Sequence, residues 1–480
     1  MKKTIMNPYL PLWEYIPDGE PRIFDERLYI YGSHDYAGGE KGFCPGDYVV
    51  WSAPLSDLED WKCHGVAWRR TDDPDLTEKD AMAAPDVVRG PDGRYYLYYN
   101  DNFQLHCRVA VSIRPEGPFQ PYGLVQNADG TPFCEYKMFD PGVLVDDDNQ
   151  VYLFTGFSLP DTASETIKKM KLLVPSHSMG FRLNRDMLTI EEGPIKVIPG
   201  SRDAVGTGFE GHGFYEASSP RKINGKYVMV YSTEQSHELA YALSDKPLGP
   251  YMYEDILISN GDFGYQDNKI QKMPYGNNHG GLVQLNDNWY IFYHRQTHGI
   301  ECCRQGCAEK LPLKPNGWFS QAEITSCGLN KEALPAEGIY NACYCCHLTA
   351  PQIRTERLTI RECRRETEPH IYEEVNGCCE EEYLHYIANI QPETVVGYKY
   401  FDFKEPSRID LTLRGIGNVI ICMIMDDPQD TPVVEQVCTL TKNEWQTFSI
   451  SLPKVKGIHA LYFQFVPEFA IQFKDFKFQI

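Results

Sequence analysis

The feature that most limits what this chain can fold into is a unit that recurs five times. A short strand leads into a turn rich in Asp, Asn and Gly, and a second strand dense in Tyr, Phe and aliphatic residues follows. The unit reads EPRIFDERLYIYGSHD from Glu20, APDVVRGPDGRYYLYYND from Ala84, FDPGVLVDDDNQVYLFTGF from Phe139, SSPRKINGKYVMVYSTE from Ser218 and HGGLVQLNDNWYIFYHRQ from His279. Its aromatic anchors are Tyr29, Tyr96, Tyr152, Tyr227 and Tyr290, separated by 67, 56, 75 and 63 residues. Each gap holds about four strands of 5–6 residues with their loops. Four antiparallel strands per repeat make a propeller blade, and a period of this length marks a repeat architecture. The chain is therefore expected to be all-β, with a five-bladed β-propeller over residues 1–340.

After Tyr340 the repeat stops. Short alternating strands follow around 409–413, 418–425, 446–452, 459–465 and 471–478. Period-2 alternation at this spacing predicts a β-sandwich over residues 341–480, with residues 334–351 as the linker.

Composition narrows the function. Asp and Glu number 67 against 46 Lys and Arg, a net charge of −21. Such a surface repels phosphate backbones and anionic lipid, so neither nucleic acid nor membrane is expected as a partner. The longest apolar run, 419–425, is far below the roughly 18 residues of a spanning helix. Two lysines near the N-terminus are not followed by an apolar h-region, which predicts a cytoplasmic protein. The 16 cysteines are scattered and several are adjacent, a pattern of reduced thiols. Cys343 and Cys346 form a CxxC beside His347, but no second pair at zinc spacing accompanies it.

In a propeller the first strand of each blade lines the axis, so equivalent strand heads from distant blades converge. Counting back from the aromatic anchor, Asp18, Glu216 and His279 each lie 11 residues before theirs, Asp140 lies 12 and Asp86 lies 10. Converging carboxylates cannot all ionise at ordinary pKa, and their separation lets one act as acid and another as base. Glycoside hydrolysis needs that pair. Asp residues that cap turns would give a similar pattern without chemistry, though a Glu sharing the phase of two Asp residues fits capping less well.

These segments resemble glycoside hydrolase family 43 over roughly residues 7–330. The likeness is carried by Asn7-Pro8, LYIYGSHD, GDYVVWSAPLSDLEDW (46–61), APDVVRGPDGRYYLYY, FDPGVLVDDDNQVYLF, FYEASSPRKINGKY (214–227) and NHGGLV (278–283). The resemblance implies an inverting exo-glycosidase that removes arabinofuranosyl or xylosyl residues from plant-derived oligosaccharides. In it Asp18 would be the general base, Glu216 the general acid, and Asp140 the group that tunes and orients the acid. His34, Asp35, Asp86 and Arg304 would bind substrate, with blade bracing as the alternative for Asp86 and a surface position as the alternative for Arg304. His279 would hold a structural calcium ion or its water shell, with a buried histidine hydrogen-bonded to channel water as the plainer alternative; no cofactor is required. Two departures stand out. The family's Asp-Pro is replaced by Asp18-Gly19-Glu20-Pro21, where register favours Asp18 over Glu20. Glu210-Gly211-His212 imitates the acid motif, but lies 17 residues before Tyr227. The stretches at 385–403 and 460–465 resemble a family 6 carbohydrate-binding module, implying either sugar binding or a structural support. The competing expectation is a non-catalytic sugar-binding propeller with a lectin-like sandwich.

Overall fold

The structure is a computed structural model that describes residues 5–39, 42–101, 104–159, 174–359 and 363–479. Four four-stranded antiparallel sheets and one three-stranded sheet follow one another along the chain. Their innermost strands are Glu20–Phe24, Asp86–Arg89, Gly142–Val145, Phe214–Ile223 and Leu282–Leu285. These neighbour one another in a ring, blades four and five being joined through Arg221 and Leu282, which makes a five-bladed β-propeller. All five aromatic anchors lie on the second strand of their blade. Their side chains are buried, apart from Tyr152, which is half-buried. Among the described residues the only helical elements are single 3-10 turns.

Blade five has three strands of its own, and the N-terminal segment lies along the third. The Tyr9 amide donates to Gly306 O at 3.2 Å. The Asn7 side chain imitates a backbone pair, donating to Ala308 O at 3.0 Å and accepting from Ala308 N at 2.8 Å. First and last parts of the propeller are thereby joined, and an exposed sheet edge is covered.

Four charged residues tie the inner strands together. Arg22 of blade one donates to Asp86 of blade two at 2.9 and 2.5 Å and to Val143 O of blade three at 3.1 Å. Arg221 of blade four donates to Leu282 O of blade five at 2.9 Å and pairs with Glu20 of blade one. The Val143 amide returns a bond to Asp86 at 2.8 Å. Close approach at this level requires glycine. A Cβ on Gly142 would stand 1.9 Å from Ser218 O, and one on Gly281 would stand 2.6 Å from the Glu20 carboxylate.

The C-terminal part is a β-sandwich of two six-stranded sheets. Its core is aromatic, with Tyr398, Phe401, Phe463, Phe465, Phe473, Phe476 and Phe478 buried between the sheets. The segment expected as a linker is structured instead. Leu334–Pro335 and His347–Thr349 pair with Thr394–Lys404 in one sheet, and Gly338–Asn341 pairs with Ile471–Gln479 in the other. The same apolar core continues into blades four and five through Val228, Leu239, Ile291 and Tyr293.

The axial array yields the first prediction. Arg22→Met leaves the buried Asp86 and part of Glu20 without their cation. Removing one partner of a buried pair costs about 3–5 kcal/mol, so urea unfolding of the propeller should begin at clearly lower concentration. An unchanged transition would mean that the array contributes little to the ring.

Candidate active site

Two to five residues upstream of the axial array, the strand heads carry the carboxylates. Asp18 and Asp140 occupy left-handed backbone, with φ of 55° and 45°, and Ala217 beside Glu216 has φ of 69°. Such conformations are uncommon for residues other than glycine and cluster at functional sites. Glu216 sits in a strand whose pairing shifts register on both sides of it, between Phe214 and Glu216 and again between Glu216 and Ser219. Bulges of this kind re-aim a side chain out of the regular pleat.

Asp18 is almost fully buried, its carboxylate taken by Arg304 and Ser33 and its amide donating to His294 Nδ1 at 3.2 Å. Arg304 Nη1 lies 2.9 Å from Oδ1, Ser33 Oγ donates to Oδ2, and His294 Nδ1 is 3.2 Å from Oδ1. Burial alone would push the Asp18 carboxyl up. Arg304 and His294 outweigh it and hold the group well below the usual carboxylate range. Arg304 is itself fixed by Asp35, which takes its Nε at 2.8 Å, its Nη2 at 3.0 Å and its amide at 3.1 Å. The Phe43 ring lies 4.8 Å from the Arg304 guanidinium carbon.

Glu216 has the opposite environment. Burial, then the negative charge of Asp140, push it up to about 8, against smaller opposing effects of His279 and Arg357. Asp140 is joined to His279 Nδ1 at 3.4 Å. Burial would lower His279, but its hydrogen bond and attraction to Asp140 dominate and raise it to about 9. Burial also pushes the Asp140 carboxyl up, against the hydrogen bond and charge of His279, so near neutral pH the surroundings favour an ionised Asp18 and a proton retained at Glu216 beside Asp140 and His279.

The structure distributes the other sequence-predicted residues differently. Asp35 is fully buried and acts on the pocket through Arg304. His34 is partly exposed, with its ring nitrogens on Glu14 at 3.0 Å and Asp47 O at 3.2 Å. Asp86, expected to bind sugar, is turned away from the pocket: its carboxylate is taken by Arg22 and the Val143 amide. The cause is turn length. The cross-strand partners of the five anchors are Arg22, Val88, Leu144, Lys222 and Val283. Measured from those partners, Asp18, Asp140 and His279 stand four residues back, whereas Asp86 stands two back, level with Glu20. A longer turn in blade two hid that difference in a count made from the aromatic. Glu20 itself is held by Arg221, by Arg22 at 3.5 Å and by Ser219 Oγ at 3.0 Å. Glu210 caps the exposed Gly206 and Gly208 amides.

Nothing around His279 supports a directly ligated metal ion. Its Nδ1 faces a carboxylate, and among the described residues no three His, Cys, Asp or Glu side chains are grouped to hold an ion. Sequence reasoning missed Ser33 and His294, although both stand four residues after their anchors, Tyr29 and Tyr290, at the second-strand ends nearest the site. It also missed the aromatic row of Phe139, Phe157 and Tyr215, with successive centroids 5.2 Å apart, and Arg357, which comes from beyond the propeller.

Carboxyl groups held in opposite protonation states at the axis of a propeller are the equipment of a glycoside hydrolase. The sequence profile of glycosyl hydrolases family 43 matches residues 18–319, and the chain belongs to this family. A xylosidase/arabinosidase of Thermoclostridium stercorarium is 39% identical over 484 residues, 99% of each chain. A β-xylosidase of Xylanibacter ruminicola is 31% identical over 304 residues, 58% of this chain and 88% of that one. The crystal structure of a Bacillus subtilis family 43 arabinoxylan arabinofuranohydrolase in complex with cellotetraose has the same overall fold. Its TM-score is 0.52 at 18% identity, covering 98% of this chain and 97% of that chain.

The raised Glu216 carboxyl has a consequence for stability. The folded state keeps a proton that the unfolded chain releases near pH 4.3, roughly the ordinary glutamate value. Stability therefore falls as pH rises from there to about 8. Glu216→Gln removes this dependence. Thermal unfolding of the variant should match wild type near pH 4 and occur at higher temperature than wild type at pH 8. The same pH dependence in both proteins would contradict the assignment.

Proposed function

We propose that the protein is an inverting exo-glycosidase that releases xylosyl or arabinofuranosyl units from xylan-derived oligosaccharides. The observation that carries this reading is the contrast in surroundings: Asp18 is held by Arg304 and Ser33, which favours its ionised form, while Glu216 is buried beside Asp140, which favours its protonated form. Asp18 acts as general base on the attacking water, and Glu216 as general acid on the departing oxygen. Asp140 keeps the acid protonated, and His279 fixes Asp140. Inversion follows from a base that acts through water rather than as a covalent nucleophile. The choice of pentose is supported by the names of the two relatives, a xylosidase/arabinosidase and a β-xylosidase. No step requires a metal, and the donor set around His279 gives no support to a directly ligated calcium ion. The core shared between sandwich and propeller supports a buttressing role for the C-terminal part.

A non-catalytic sugar-binding propeller would not need one carboxyl held protonated and another held ionised. Two variants separate the readings. Glu216→Gln should lose about 10²–10⁴-fold on pentose oligosaccharides, the usual worth of general acid–base catalysis, but far less on aryl glycosides with good leaving groups. Asp18→Asn should lose a similar factor on both, because water must still be activated. Equal losses for Glu216→Gln on the two substrate types would overturn its role as acid. The wild-type rate should fall as pH rises through about 8. Asp140→Asn should move that alkaline limb to lower pH, since the charge that raises Glu216 is gone.

A further inference from the structure

One guanidinium at the pocket comes from outside the propeller. Arg357 lies in a segment that leaves the sandwich strand His347–Thr349 and crosses blades four and five before His370–Glu374 begins. The crossing is anchored. The Leu358 amide donates to Tyr275 O at 2.9 Å, and its side chain is fully buried. Gln271 Nε2 reaches Arg354 O at 3.1 Å, and Tyr275 Oη donates to Thr355 O at 3.0 Å. Arg364, buried below, donates to Arg354 O and Glu356 O at 3.1 and 2.9 Å, and its amide bonds Gly299 O at 3.0 Å. Arg357 Nη2 is then held at 2.9 Å by Glu301, a residue 4% exposed.

Part of the guanidinium's donor capacity remains unused, beyond Glu301 and its interaction with the Tyr215 hydroxyl. Its side chain is 38% exposed, and its Nε is buried without a hydrogen-bond partner. Its charge acts on Glu216 and on Tyr215, the last member of the aromatic row. The proposed acid delivers its proton to the oxygen that leaves with the departing sugar. Groups on the acid's flank therefore face that sugar, whereas groups around Asp18 face the water side.

We propose that Arg357 is a specificity-determining residue of the leaving-group subsite, binding hydroxyls of the departing sugar while the Tyr215–Phe157–Phe139 row offers it an apolar wall. This rests on the assignment of Glu216 as the acid. An arginine fork held by a carboxylate at one end presents its remaining N–H groups in a fixed plane, which suits a polyhydroxyl ligand better than a lysine point charge does. The C-terminal sandwich would thereby set the preference for an oligosaccharide over a glycoside with a non-sugar leaving group.

The test uses the full chain and the pentose that wild type releases from its 4-nitrophenyl glycoside. The paired probe is that aryl glycoside against β-1,4-xylobiose, or α-1,5-arabinobiose if arabinofuranose is released. Arg357→Gln should lower kcat/KM on the disaccharide about 10–100-fold, mainly through KM, and change the aryl glycoside by no more than about threefold. Arg357→Lys keeps a cation opposite Glu301 but loses the fork, and should recover only part of the loss. Removing the positive charge should also move the alkaline limb to higher pH, because Arg357 favours the ionised acid. A loss shared equally by both substrates, or no loss on the disaccharide, would overturn the proposal. Glu216→Gln measured alongside keeps the two assignments separate. If that variant lacks its leaving-group dependence, the acid is misassigned, whereas the disaccharide-against-aryl ratio of Arg357→Gln still decides the subsite.

Discussion

The ring depends on a buried exchange of charge at its axis. Glu20, Arg22, Asp86 and Arg221, with the carbonyls of Val143 and Leu282, join inner strands from all five blades. Antiparallel pairing holds each blade together internally, but it does not bring one blade to its neighbour. Buried ion pairs are weak sources of net stability, because desolvation offsets much of their attraction. Their value here is geometric. Each arginine satisfies groups from three blades at once, so an inner strand that slipped would leave a buried charge unpaired.

The site inherits this order. Asp18 is two residues before Glu20, Asp140 is three before Val143, and His279 is three before Leu282. Once the array fixes the register of the inner strands, their heads have nowhere to go but one pocket. Similar carboxyl groups then acquire different chemistry from their neighbours. Asp18 receives an arginine, a serine and a histidine, whereas Glu216 receives burial and another carboxylate. Local backbone strain accompanies that placement, with left-handed conformations at Asp18, Asp140 and Ala217, supported by the rigid ring beneath.

Much of this architecture was legible in the chain, because a repeat that cannot bury its faces alone must stack on its neighbours. The turn-plus-aromatic unit locates the blades, and its phase brings Asp18, Asp140, Glu216 and His279 together. Asp86 shares the aromatic-anchor phase without sharing the site, because the turn between the first two strands varies in length while the strand pairing does not. For Glu216 the same count succeeded only because bulges re-aim the strand. His294 and Ser33 could have been found by applying the phase rule to the second strands as well. Arg357 could not have been. Its position depends on a non-local crossing from another domain, and no periodicity in the sequence carries that information. Residues 334–351 look like a linker in sequence because their strands are only two to four residues long, too short to show alternation.

The central physical claim is that one axial carboxyl keeps its proton where the other cannot. The direct measurement is a carbon-13 NMR titration of the protein labelled at glutamate side-chain carboxyl carbons, with wild type compared with Glu216→Gln. A carboxyl signal absent from the variant and titrating near 8 in wild type is the expected result. A Glu216 signal titrating near 4.3, roughly the ordinary glutamate value, would contradict the division of labour between Glu216 and Asp18.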